Sequence, residues 1–315
     1  MTLTVVILNY RTPELTIGAL ASLKAQVESH NDRQVVVVDN DSRDGSIETI
    51  SKAVADHGWA GWASMIGSPE NVGFAGGNNL GIQSAPADAY LLMNSDAIAL
   101  PGLLDALLRA LRVHPEAGVI GPRILDADGQ AMPSCFRFPG PISEFLAAAA
   151  TGPITALLHR HVVAMPVSAI PIEPGWISFS CVLLRAEMIR EVGLLDDAFF
   201  MYYEDVDYCH RVWQSRWRVR YEPSIIARHL HARSSGIGAA KGERRSLPRY
   251  FYESRSRYFA RHRGGRVGLA AANLAWMSGR CVSVVRESIG NKTPHTCRHA
   301  WRDNWTNWLR PDAAH

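Results

Sequence analysis

Three stretches of this 315-residue chain carry side chains able to do chemistry together: Asn94-Ser95-Asp96 closing an apolar run, the glycine-rich NVGFAGGNN from Asn71 to Asn79, and FFMYYEDVDYCHR from Phe199 to Arg211. A lone carboxylate such as Asp96 at the tip of a strand can hold Mg²⁺ or Mn²⁺ when a diphosphate supplies the remaining oxygens. Asn94 and Ser95 would equally suit an N-cap or a turn. Gly73, Gly76 and Gly77 predict a turn whose backbone amides approach a phosphate or sugar, with Asn71, Asn78 and Asn79 offering donors and acceptors, although ordinary turns use the same residues. Glu204 and Asp205 open a helix directly after the aromatic wall Phe199 to Tyr203. Apolar surroundings raise a carboxyl pKa and suit Asp205, with Glu204 beside it, to take up a proton; acids there also complement the helix dipole. Asp207 and Arg211, four residues apart, read as an ordinary surface pair.

Two further clusters sit where apolar runs stop. VVVVDNDSRDGS ends in Asp39, Asn40 and Asp41. A carboxylate there can accept from the imide N–H of uracil or thymine while its neighbours bind ribose hydroxyls, or Asp41, Ser42 and Asp44 can cap a turn and the next helix. Asn9 follows the first run in the same way. His229 and His231 alternate in ARHLHARSSG and share a face. One is a candidate metal ligand or diphosphate donor, a structural role being the alternative.

The elements that must position these residues follow from hydrophobic pattern. Strands are expected over Thr4 to Leu8, Gln34 to Asp39, Ala89 to Met93, Gly118 to Leu125 and Trp176 to Leu184, with short ones at Arg218 to Tyr221 and Ile225 to His229. Helices are expected over Glu14 to Ala25, Ser46 to His57, Leu103 to Val113, Ser143 to Ala150 and Glu187 to Val192. Continuous apolar strands alternating with helices specify an α/β fold, a mostly parallel sheet covered on both faces, which binds ligands beyond the carboxyl ends of its strands. Proline-rich chain from Pro133 to Pro174 is expected to face the acceptor of the reaction.

With 47% hydrophobic residues the chain can bury a substantial core, and 33 basic against 30 acidic residues give no reason to expect a nucleic-acid partner. Five scattered cysteines without a C-x-x-C pair read as reduced thiols of a cytosolic protein, and the N-terminus lacks a signal-peptide pattern. Val267 to Val285 is too polar to span a bilayer. The arginines at 255, 257, 261, 263 and 266 ahead of it predict peripheral contact with anionic lipid at the inner face of the cell membrane, an ordinary packed helix being the alternative.

Taken together, VVILNYRTPE, VVVVDNDSRDGS, NVGFAGGNN, the NSD triplet, GWISFSCVLLRAEMIREVGLLDDAFFMYYEDVDYCHR and the histidine after a strand resemble the inverting family 2 glycosyltransferases with the GT-A fold, especially rhamnosyltransferase-like members of polysaccharide assembly. The resemblance covers roughly Thr4 to Ser235. It implies a Rossmann-like sheet with a C-terminal helical extension: 1–125 as the nucleotide-sugar half, 126–235 as the acceptor and catalytic half, and 236–315 as a basic helical extension. It further implies a hexosyltransferase in which Asp39 contacts the base, Asp96 binds Mg²⁺ or Mn²⁺, Asp205 is the catalytic base and His229 or His231 assists the metal or diphosphate. The donor would be a dTDP- or UDP-sugar and the acceptor a glycan or polyprenyl-linked glycan. Asn94 departs from the family's D-x-D, replacing its first acid. A nucleotidyltransferase and a non-catalytic sugar- or lipid-binding protein are the competing readings.

Overall fold

The computed structural model describes residues 1–230, 244–290 and 294–312. Strands β1 (Leu3–Asn9), β2 (Arg33–Asp39), β3 (Ala63–Gly67) and β4 (Ala89–Asn94) alternate with helices α1 (Pro13–Val27), α2 (Ser46–Asp56) and α3 (Gly73–Ser84). The chain continues through β5 (Ala97–Ala99), α4 (Leu103–Val113), β6 (Ala117–Leu125), β7 (Cys135–Phe136), α5 (Pro141–Ala149) and α6 (Gly152–Leu157). It then runs through β8 (Trp176–Ile177), β9 (Cys181–Arg185), α7 (Ala186–Val192), α8 (Glu204–Trp213) and β10 (Arg218–His229). Two longer helices, Arg249–His262 and Gly265–Gly290, and the short Ala300–Asp303 complete the described elements.

Eight strands form one sheet in the order β3-β2-β1-β4-β9-β6-β10-β5. Pairing is parallel from β3 through β4 and between β6 and β10, while β9 and β5 run against their neighbours. Parallel strands buried on both faces must be apolar at every position, which is why TVVIL and QVVVV show no alternation. Val5, Ile7, Val35 and Val37 pack beneath α1, α2 and α4, while Val6, Val36, Val38 and Leu92 pack against α3, α7 and α8. This is the expected α/β architecture, with helices on both faces and further helices at the C-terminal end.

Several elements differ from expectation. Trp176 to Leu184 is two strands, β8 and β9, separated by a turn at residues 178–180. The two short strands after Arg218 are one strand, β10, whose register against β6 slips between Glu222 and Ile226, where Pro223 cannot donate to a ladder. β3 and β5 were not anticipated: ASMIG is half exposed and AIA is three residues long, so neither offers a strong pattern.

Candidate active site

The strand tips meet first at β1 and β2, where Asn9 lies opposite Asp39. Asn9 Nδ2 donates to Asp39 Oδ1 at 2.7 Å, and the same carboxylate accepts from the Ser42 hydroxyl at 2.6 Å and the Ser42 N–H at 3.0 Å. Asp39 is 1% exposed and holds the turn after β2. Asp41 sits in that turn at φ +59° and accepts from Arg43 Nε at 2.8 Å. Asp44 accepts from the N–H and hydroxyl of Ser46 and so caps the entry to α2. Asn40, between them, points the other way: its Nδ2 donates to Asn71 Oδ1 at 2.9 Å and Gly73 O at 3.1 Å, and its Oδ1 accepts from the Val72 N–H at 3.0 Å. Asn40 therefore fastens the start of α3 to the tip of β2.

The glycine-rich segment corrects the turn predicted for it, because Gly73 onward is helical. Gly73, Gly77 and Gly81 recur every four residues and line one face. A Cβ on Gly77 would overlap Leu8, and one on Gly81 would overlap Val6, so these glycines let α3 lie close on the sheet. Gly76 faces Val72 and Asp197, while Asn79 is engaged with the backbone of Leu195 through Nδ2 at 2.8 Å and Oδ1 at 3.1 Å. Gly73 alone needs its φ of +73°, and its α-carbon lies so close to the Phe200 carbonyl that no side chain fits. The Phe74 N–H donates to that carbonyl at 2.6 Å.

The second meeting point is made by β5. Its antiparallel pairing with β10 sets His229 opposite Ala97, beside Asp96 in the turn from β4. His229 Nε2 lies 2.9 Å from Asp96 Oδ1 and 3.4 Å from Asn94 Nδ2. Ser95 and Thr12 share a hydrogen bond between their hydroxyls at 3.0 Å. His231 lies outside the described residues. Among the described residues no third acidic, histidine or cysteine side chain joins the pair. One carboxylate and one imidazole suit a divalent cation whose other positions go to diphosphate oxygens and water, so the donor set fits Mg²⁺ or, with its imidazole, Mn²⁺.

The segment after Phe200 forms the opposite wall. Tyr202 and Tyr203 both sit at φ +68°, a conformation costly for aromatic residues, and each is braced by rings of the Arg249–His262 helix. The resulting sharp turn starts α8 at Glu204. Burial pushes the Asp205 carboxyl up to about 7, against hydrogen bonds from the backbone that favour its ionised form, Phe179 among their sources. Burial and the adjacent Asp205 charge raise Glu204 well above the usual carboxyl range, and its Oε2 is buried without a hydrogen-bond partner among the described residues. The turn holding Phe179 is tied to β4, since the Asn94 N–H donates to Ser180 O at 2.9 Å. Asp207 is not on the surface: it is fully buried and accepts from Arg211 at 2.9 Å, Arg261 at 3.1 Å and His262 at 2.7 Å. Burial works against its charge, but the His262 and Arg211 bonds outweigh it and hold the carboxyl below its usual range.

Between these walls lies a cavity of about 280 Å³, lined by Tyr10, Asn40, Asn71, Asn94, Ser95 and Asp96 on the sheet side and by Phe200, Met201 and Tyr250 opposite. Asn71, Asn94, Ser95 and Asp96 were expected at a site. Asn9, Asp39 and Gly73 lie directly behind it, whereas Gly76 and Asn79 serve packing. Tyr10 and Asn40 were expected among the polar residues at the strand tips and Met201 in the wall before the acids, whereas Thr12 and Tyr250 were not singled out. Asn40 stands between two acids that drew the eye, and Tyr250 lies half a chain from its partners.

Asn-rich strand tips and a carboxylate–imidazole pair at one side of a cavity, with Phe200 and Met201 of the segment leading into Glu204 and Asp205 opposite, on this sheet order, fit a nucleotide-sugar transferase of the GT-A type. Residues 4–131 match the family described as Glycosyl transferase family 2. The chain is 30% identical to N-acetylglucosaminyl-diphospho-decaprenol L-rhamnosyltransferase of Mycobacterium tuberculosis over 69% of this chain and 72% of that protein. It is 25% identical to a low-salt glycan biosynthesis hexosyltransferase, Agl10, of Haloferax volcanii over 66% of this chain and 61% of that one. Its fold matches S. aureus TarS in complex with UDP-GlcNAc, with a TM-score of 0.59 and 14% identity over 99% of this chain and 82% of that one. It also matches a mannosyltransferase of Pyrobaculum calidifontis in complex with GDP-Man and Mn²⁺, with a TM-score of 0.56 and 13% identity over 98% and 85%. The chain belongs to glycosyl transferase family 2 and is a glycosyltransferase.

Proposed function

We propose that the protein is an inverting, metal-assisted hexosyltransferase that moves a sugar, rhamnose first among the candidates, from a dTDP- or UDP-sugar to a hydroxyl of a polyprenyl-diphosphate-linked glycan in cell-surface polysaccharide assembly. The observation that carries this reading is the pairing of Asp96 with His229 at a cavity whose opposite wall is Phe200 and Met201, the segment that leads into Asp205. The relative named as a rhamnosyltransferase supports the sugar and the class of acceptor.

In this reading 1–125 holds the donor, 126–235 supplies the acceptor wall and the base, and 236–315 extends it; the boundary at 235 lies outside the described residues. Asn9, Asp39 and Asp41 shape the turn at the nucleoside end, with Asn40 and Asn71 presenting amides to the cavity. Gly73 brings the Phe200 wall close. Asn94 and Ser95 frame the diphosphate end. Asp96 and His229 would hold Mg²⁺ or Mn²⁺, which when bound neutralises charge on the leaving diphosphate. Asp205 takes the proton from the acceptor hydroxyl as its oxygen attacks the anomeric carbon, and the bond to the nucleoside diphosphate breaks on the opposite face. Burial and the Asp205 charge raise Glu204 and favour its neutral form, so that within this adjacent pair Asp205 is the acid suited to take up the proton. A lipid-linked acceptor places the work at the inner face of the membrane, with the enzyme on the cytoplasmic side.

Calorimetry with UDP, dTDP and GDP, each with Mg²⁺, Mn²⁺ or a chelator, tests the donor half of the proposal. Metal-assisted binding of dTDP or UDP that weakens at least about tenfold, or roughly 1.4 kcal/mol, in Asp96→Ala is expected. Equal binding with and without metal in both proteins would overturn the role given to Asp96.

A further inference from the structure

The helix Gly265–Gly290 packs against α5, and its buried face is built from Gly268, Leu269, Ala272, Asn273, Gly279, Ser283 and Glu287. Gly279 permits the approach, since a Cβ there would overlap the Phe145 carbonyl. The opposite face is open to solvent. From residue 267 to the end of the helix, no exposed position carries a charge. Val267 is 80% exposed, Leu274 56%, Val285 58% and Ile289 83%, with Met277 and Val284 between them. A solvated helix face is ordinarily its charged face.

The stripe has the spacing of a helix-pairing seam. Val267, Ala271, Leu274, Ser278, Cys281 and Val285 follow one another at alternating steps of four and three residues, a seven-residue repeat whose small members allow close approach. Cations near the stripe are already engaged: Arg280 bonds Glu287 at 2.8 Å, and Arg286 donates to the Ala150 carbonyl. The arginines expected to face anionic lipid are also spent inside the fold. Arg255 is buried against Glu144 and Asn273, Arg257 is buried and donates to the Ala198 carbonyl, Arg261 pairs with Asp196 and Asp207, and Arg263 donates to the Pro139 carbonyl. Of these five, Arg261 and Arg266 are exposed; Arg261 is ion-paired, which leaves Arg266, at one end, beside the apolar face, so the charge of the described residues does not match a lipid surface.

We infer that this face pairs with the same face of a second copy of the chain, the two helices lying antiparallel about a twofold axis. A charge-free stripe is complementary to itself, because an isologous contact sets the same patch of each copy against the other, residue i on j and j on i, without like-charge repulsion. At roughly 150 Å² for a whole aliphatic side chain, the six large residues leave on the order of 500 Å² of apolar surface per copy, near the upper end of what a monomer shows. Two copies together reach the roughly 1,000 Å² that a specific interface requires. The inference rests on this helix alone and stands apart from the donor chemistry.

Sedimentation equilibrium of the full chain at micromolar concentration, beside the double variant Leu274→Glu with Val285→Glu, tests it. Both positions face solvent, and an unchanged far-ultraviolet dichroism spectrum with a cooperative melt for the monomeric variant checks that each copy stays folded. A wild-type dimer that becomes monomeric in the variant is the expected result. A wild type that is monomeric throughout, or a variant that remains as dimeric as wild type, overturns the inference. So does a monomeric wild type that floats with phosphatidylcholine vesicles while the variant does not, which would assign the stripe to lipid.

Discussion

Asp205, the proposed base, is a carboxyl that burial leaves half-protonated near neutrality. A base must be ionised to act, so turnover should rise with pH through a midpoint near 7 and level off above it. Asp205→Asn should lose about two to four orders of magnitude in turnover while the affinity for dTDP, measured by calorimetry, stays near that of wild type. The linkage has a definite sign. A carboxyl whose folded pKa lies above its unfolded value destabilises the fold once it is ionised, so Asp205→Asn should melt higher than wild type at pH 8, and the gain should shrink towards pH 5. Sequence made the acids legible because Glu204-Asp205 follows five consecutive large apolar or aromatic residues. It showed Asn40 only as one polar residue at a strand tip; that Asn40 fastens α3 was not legible, because this role lies in three hydrogen bonds to residues about thirty positions away.

At the scale of elements, α3 and α8 hold the site by different means. α3 relies on absent side chains, and the four-residue recurrence of Gly73, Gly77 and Gly81 was the available sign that NVGFAGGNN is a helix seated on the sheet. Gly73→Ala should displace the Phe200 wall through overlap with its carbonyl, lowering turnover at least about tenfold with far-ultraviolet dichroism unchanged. α8 relies on charge: Asp207 joins it to the Arg249–His262 helix through Arg261 and His262. Removing one member of a buried ionic network leaves the others uncompensated, so Asp207→Asn should cost about 3 kcal/mol in urea unfolding. Four-residue spacing on a helix looked like surface; burial came from an element fifty residues further on, which local pattern cannot reveal.

For the whole molecule, strand runs such as TVVIL and QVVVV announced a sheet covered on both faces, and family-specific segments announced the GT-A arrangement. The insertion of β9 between β4 and β6, and the return of β10 to β5, were not legible, since both depend on pairing across long separations rather than on local pattern. That last pairing has a consequence for biosynthesis. Asp96 is translated well before its partner, and a three-residue strand at the sheet edge is all that brings His229 beside it. A nascent chain can assemble β3-β2-β1-β4 early, yet it presents only half of the proposed cation site until residue 229 has left the ribosome. Under the proposed donor site, nucleotide with metal would bind only once His229 is in place, and its binding should draw late intermediates towards the native state by mass action.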